Sequence, residues 1–72
     1  MKEITIKLKT IADVNEFVKF TRDLTDSITA KQGRYCIDAK SIMGLFTLDL
    51  LNPITIETEN EELISKITKW KV

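Results

Sequence analysis

The residue pattern predicts an α+β fold in the order β-α-β-β-α-β-α, with a four-stranded, mainly antiparallel sheet covered on one face by three helices. Three observations carry this expectation. Ile4, Ile6 and Leu8 alternate with polar residues as in a half-buried strand, apolar residues then recur at helical spacing, and Gly33 separates two short strand-like runs that can close as a hairpin. A β-α-β unit followed by a hairpin implies strands that run mostly antiparallel.

Strand one covers residues 3–9, with its charges on the outer face. Thr10 with Asp13, or Asp13 with Glu16, has capping-box spacing ahead of Val14, Phe17, Val18, Thr21 and Leu24, so helix one spans about residues 12–24. SITAK and RYCID form strands two and three, joined by Gln32 and Gly33, where glycine supplies the positive φ of a tight turn. Between Tyr35 and Ile37, Cys36 reads as a buried strand thiol. Ser41 stands ready to cap a short helix two, in which Ile42, Leu45, Phe46 and Leu48 can form an apolar stripe although Gly44 weakens the helix. Asn52 and Pro53 punctuate the chain before strand four, ITIETE. Asn60 then caps helix three, with Glu61 and Glu62 in its first turn, Leu63, Ile64, Ile67 and Trp70 facing inward, and Lys66, Lys69 and Lys71 towards its end, a charge order that suits the helix dipole.

One domain over residues 1–72 is expected, since a chain of this length buries only about 60% of its unfolded surface in a single core. Hydrophobic residues at 43% and charged residues at 31% exclude the signature of disorder. Eleven basic residues balance eleven acidic ones, so no net field recruits nucleic acid, an anionic membrane or an acidic substrate, and none of these partners is expected. With Cys36 as its one cysteine, the chain can form neither an internal disulfide nor a thiolate metal cluster, which suits a reducing cytoplasm. The first residues alternate instead of forming an apolar signal-peptide stretch, and no apolar run approaches the ~18 residues of a membrane span. A cytoplasmic location is the expectation.

The chain has no histidine. Serine and cysteine triads, papain-like pairs and His-ligated zinc are therefore excluded, because each needs an imidazole as base or ligand. Neither glycine lies in a G-x-G-x-x-G or P-loop string, so no glycine cradle for a nucleotide can form. Carboxylates cluster at Glu57, Glu59, Glu61 and Glu62 and at Asp23 and Asp26; solvation and the helix dipole account for them without acid-base chemistry. No catalytic residue, cofactor or metal site is assigned.

One segment is more specific. Residues 36–48, CIDAKSIMGLFTL, resemble the serine-containing regulatory segment of the bacterial histidine-containing phosphocarrier family, HPr, whose pattern is a strand, then K-S-I-M-G, then a short apolar helix. Lys40-Ser41-Ile42-Met43-Gly44 matches that string, at the same place in the same order of elements. The resemblance covers nearly the whole chain, thinly outside this stretch, and implies an HPr-like open-faced β-sandwich. It also implies that Ser41 is the target of a dedicated kinase, and that Lys40, Ile42, Met43 and Phe46 form a partner-binding surface. A phosphate on Ser41 would lie beside the free N–H groups of helix two and near Lys40. Helix capping alone also explains a serine there, though not the Ile-Met-Gly that follows.

The family's other site is where this chain departs. HPr carries a histidine after strand one, then an arginine and a proline at the start of helix one. Setting Phe17 and Val18 on that helix's apolar pair places Thr10 at the histidine, Ala12 at the arginine and Asp13 at the proline, so these are degenerate active-site positions. The loop before them is shorter, with strand one running directly into the helix cap. The resemblance thus implies a histidine-less, Crh-like member: no enzyme, but a non-catalytic regulatory or protein-binding module of the sugar phosphotransferase system (PTS), with HPr kinase or a transcriptional regulator as its protein partner. Two other readings stand beside it, a phosphocarrier that uses Thr10 or Asp13 as acceptor and an unrelated small α+β interaction subunit.

Overall fold

In the computed structural model, which describes residues 2–72, the elements appear in the predicted order. They are β1 (Lys2–Ile6), α1 (Ile11–Arg22), β2 (Ile28–Gln32), β3 (Tyr35–Asp38), α2 (Ile42–Leu45), β4 (Ile54–Thr58) and α3 (Glu61–Ile67), which tightens into a 3₁₀ turn over Thr68–Trp70. The four strands lie in the order β1-β4-β2-β3, each antiparallel to its neighbour.

Register decides which residues meet. Ile4 faces Ile56 and Ile6 faces Ile54 across β1 and β4, while Ala30 sits between Ile56 and Ile37. That face is apolar and buried beneath the helices, which contribute Val14, Phe17, Leu45, Leu63 and Ile67 to the same core. Phe17 is fully buried and its ring lies 6.4 Å from that of Trp70, an area worth about 3 kcal/mol of hydrophobic stabilisation. The opposite face, carrying Glu3, Thr5, Thr29, Lys31, Cys36, Asp38, Thr55 and Glu57, has no helix over it. The sandwich is open on that side.

Several boundaries differ from expectation for identifiable reasons. β1 ends at Ile6, not at residue 9, yet Leu8 remains buried, so the alternation outlasts the ladder. Beyond Ile6 the backbone finds another partner, with the Lys7 amide donating to the Trp70 carbonyl at 3.0 Å. Residues 7–9 therefore separate β1 from the helix cap, where direct succession was expected. The first helix stops at Arg22, and the Asp23 amide turns back to the Thr21 carbonyl. Cys36 is exposed, contrary to its reading as a buried thiol: β3 is an edge strand, and Cys36 stands opposite Lys31 on the uncovered face. Apolar neighbours in sequence point to the other side of a strand, so they do not bury the residue between them.

The hairpin forms as predicted. Gln32 pairs with Tyr35, leaving Gly33 and Arg34 as a two-residue loop, and Gly33 has φ +57° while no other residue has positive φ among those described. Positive φ at the first loop position alone is the signature of a type II′ turn, where glycine avoids the steric cost of a side chain.

Candidate functional site

The residues singled out by sequence fall at the starts of two helices, α1 and α2. At α1 the predicted capping box is present. The Thr10 hydroxyl accepts the Asp13 amide at 3.0 Å, and an Asp13 carboxylate oxygen accepts the amides of Lys9 at 3.0 Å and Thr10 at 3.3 Å. The amides at a helix start are the groups an incoming anion would use. Here Asp13 already supplies a negative oxygen to two amides just ahead of the helix. Ala12 is exposed and offers no charge.

At α2 the Ser41 hydroxyl accepts the Gly44 amide at 3.1 Å, so the predicted cap is formed. The first-turn amides of Ile42 and Met43 have no acceptor within the helix itself. Leu45 and Leu48 are buried and anchor the segment, Ile42 is half-buried, and Met43 and Phe46 stand 76% and 45% exposed. One turn of helix cannot bury every side, and here the two outward apolar residues are part of the segment noted in the sequence. Gly44 has a packing role: a β-carbon there would lie 3.3 Å from the Ile37 side chain, so glycine lets α2 approach β3 closely.

Lys40 is placed differently from expectation. Its ammonium donates to the Leu24 carbonyl just past α1, where unpaired carbonyls attract a cation, instead of standing free for a phosphate on Ser41.

Sequence reasoning missed two exposed apolar residues, Ile11 at 68% and Leu51 at 81%. Ile11 is the first residue of α1, one position ahead of the expected helix start, and is not among the residues that α1 buries. Leu51 sits in a tight turn that β2 holds from the side. The Gln32 side chain accepts the Asp49 amide at 2.7 Å and donates to its carbonyl at 2.6 Å, while Asp49 receives the Leu51 amide at 3.0 Å and the Asn52 side chain at 2.7 Å. Gln32 binds that backbone as a neighbouring strand would.

The acidic residues have partners in keeping with the bland reading. Glu61 pairs with Lys2 at 2.8 Å, Glu57 with Lys31 at 3.0 Å, and the Asp26 carboxylate accepts the Asn60 amide group at 2.8 Å. Glu3 lies directly opposite Glu57 on the open face. Its hydrogen bond to Glu57 and the charge there push the Glu3 carboxyl above its ordinary range, whereas the bonds from Lys31 and then Glu3 hold Glu57 below it. The side-chain contacts of Thr10, Asp13 and Ser41 at these two helix starts are to backbone amides.

No protein-family model and no curated protein matches the chain. Solved structures do. HPr-C-His from Thermoanaerobacter tengcongensis matches with a TM-score of 0.78 and 25% identity, over 96% of this chain and 89% of that one. The phosphocarrier protein HPr from Bacillus anthracis matches with a TM-score of 0.72 and 25% identity, over 99% of this chain and 94% of that one. The fold is therefore HPr-like, and the likeness supports kinship with the HPr phosphocarriers and a function related to theirs.

Proposed function

We propose that this chain is an HPr-like protein that binds partners and does not carry phosphate, a histidine-less, Crh-like regulator in the sugar phosphotransferase system. The observation that carries the reading is Asp13, whose carboxylate holds the Lys9 and Thr10 amides at the start of α1 in a chain without histidine. A transferred phosphoryl group needs a nucleophile and a cradle of donors. The histidine is absent, and the amides of Lys9 and Thr10 already serve Asp13.

The binding surface in this proposal is centred on Met43 and Phe46, with Ile42 half-buried behind them and Lys40 at its border. Ser41 is its switch. A phosphate there would add about two negative charges next to the first-turn amides of α2, while the tie of Lys40 to Leu24 leaves those amides as the groups that receive it. Partners are then proteins, with HPr kinase acting on Ser41 and a regulator reading the patch.

Three assays test this. Incubation with enzyme I and phosphoenolpyruvate should leave no label on the chain, and a stable label would overturn the proposal in favour of Thr10 or Asp13 as acceptor. Met43→Lys should abolish capture of the PTS regulator that binds the unaltered chain, with the melting temperature unchanged. Mass spectrometry after treatment with HPr kinase and ATP should find one phosphate, on Ser41. The acceptor alternative is disfavoured on energetic grounds too: a phosphothreonine ester has too little transfer potential, and an acyl phosphate on Asp13 would have to form on the carboxylate that binds two amides.

A further inference from the structure

The two edges of the sheet are treated differently. Along β1 the end of the edge, from Thr5 to Lys7, is covered by residues 70–72: Lys71 bridges Ile6, Val72 donates its amide to the Thr5 carbonyl at 3.2 Å, and Trp70 accepts from Lys7. β3 is the outermost strand on the other side, with Tyr35, Cys36 and Asp38 exposed along it. Because Gln32 and Tyr35 close a two-residue loop, Tyr35 and Ile37 exchange their backbone bonds with β2. The N–H and C=O of Cys36 and the N–H of Asp38 consequently point away from the sheet, and the Asp38 carbonyl receives the Ser41 amide at 3.1 Å. A row of this kind is a template for another strand.

We infer that the occupant of this edge is β3 of a second copy, paired antiparallel about a two-fold axis centred on Cys36. The strand is self-complementary in that register. Arg34 falls opposite the partner's Asp38, Tyr35 opposite the partner's Ile37, and Cys36 opposite the partner's Cys36, each relation repeated by the symmetry. On the open face two opposite-charge pairs flank the thiols. On the helix side Tyr35, 59% exposed in the single chain, gains an aliphatic neighbour. Cys36 amides bond the partner's Cys36 carbonyls, and Asp38 amides bond the partner's Arg34 carbonyls, so the pairing does not depend on the carbonyl that Ser41 occupies. One Asp38 carboxylate oxygen serves the Lys40 amide at 2.9 Å and the other is free to meet Arg34. Sliding the register by two residues removes both charge pairs, which fixes the alignment. With no net charge on the chain, no overall repulsion opposes association.

This inference rests on the sheet alone and is independent of the role of Ser41. Sedimentation under reducing conditions from about 10 µM to about 1 mM should show a concentration-dependent dimer, as expected of a small interface. A short bis-maleimide should join Cys36 to the partner's Cys36, since the α-carbons of a hydrogen-bonded pair lie about 5.5 Å apart. Arg34→Asp should weaken the dimer about tenfold without changing the melting temperature of the monomer, and the doubly reversed R34D/D38R chain should recover it. A chain that stays monomeric throughout, a dimer that does not cross-link through Cys36, or a dimer indifferent to R34D would each overturn the proposal.

Discussion

Replacing Ser41 by alanine tests whether one hydroxyl organises α2. The helix is a single turn, held by the Leu45 amide on the Ser41 carbonyl at 3.0 Å, the Phe46 amide on the Ile42 carbonyl at 3.2 Å, and the Gly44 amide on the Ser41 hydroxyl at 3.1 Å. Losing the last removes the side-chain cap at the turn's start, for about 1 kcal/mol at an N-cap. In a domain of this size that corresponds to a fall of about 4–8 °C in melting temperature. Ser41→Asp keeps an oxygen in the same place, so it should melt within about 2 °C of the unaltered chain, whereas S41A should not. Circular dichroism melts give the first readout and hydrogen exchange at the Gly44 amide the second, with faster exchange in S41A alone. Equal melting temperatures and equal Gly44 exchange in all three proteins would refute the reasoning and leave the serine without a structural role.

Other perturbations separate the forces elsewhere in the fold. Phe17→Ala should cost roughly 3–5 kcal/mol of the ~4–11 kcal/mol total expected for this length, and urea titration should show the midpoint lowered by about a quarter or more, to an unfolded chain at the low end of that range. Asp13→Ala deprives the Lys9 and Thr10 amides of their acceptor and should lower the melting temperature by several degrees, about the effect of one lost cap. Glu3→Gln should stabilise the protein at pH 7 and make no difference at pH 3. Because the folded state raises the Glu3 pKa, its favourable contribution is complete below the ordinary value of 4.5 and is lost as pH rises through the raised value; Glu57, held low, contributes above its ordinary value and loses that contribution as pH falls through its lowered one. Melts of both proteins across this range check the sign, and equal curves at pH 7 would count against the opposed carboxylates. Gln32→Ala should speed exchange of the Asp49 and Leu51 amides while leaving β2 and β4 protected.

Local chemistry made much of this legible in advance. Thr10, Ser41 and Asn60 all cap the helices their spacing announced, and Gly33 makes the turn it was read for. What stayed hidden depends on position in the assembled sheet. Cys36 has the same neighbours on an edge strand as it would in a central one, so only strand order reveals its exposure. Leu8 kept its alternation after the ladder ended, because burial follows the core and hydrogen bonding follows the available partner, here Trp70. Lys40 was placed beside Ser41 by adjacency in sequence, whereas a long side chain selects its contact across space and found the end of α1. The outward turn of Met43 and Phe46 depends on Leu45 and Leu48 taking the inward positions.

The capping carboxylate of Asp13 also bears on how reversible such a change would be. Under the proposed reading, a histidine restored at position 10 would arrive beside a fixed negative charge and remove the hydroxyl that serves the Asp13 amide, so the first step back would lower stability while gaining no transfer. Replacing Asp13 first would loosen the start of α1 with nothing to compensate. Either substitution made alone removes a hydrogen bond of the capping box, so the start of α1 tolerates a change at Thr10 or Asp13 only at a loss of stability.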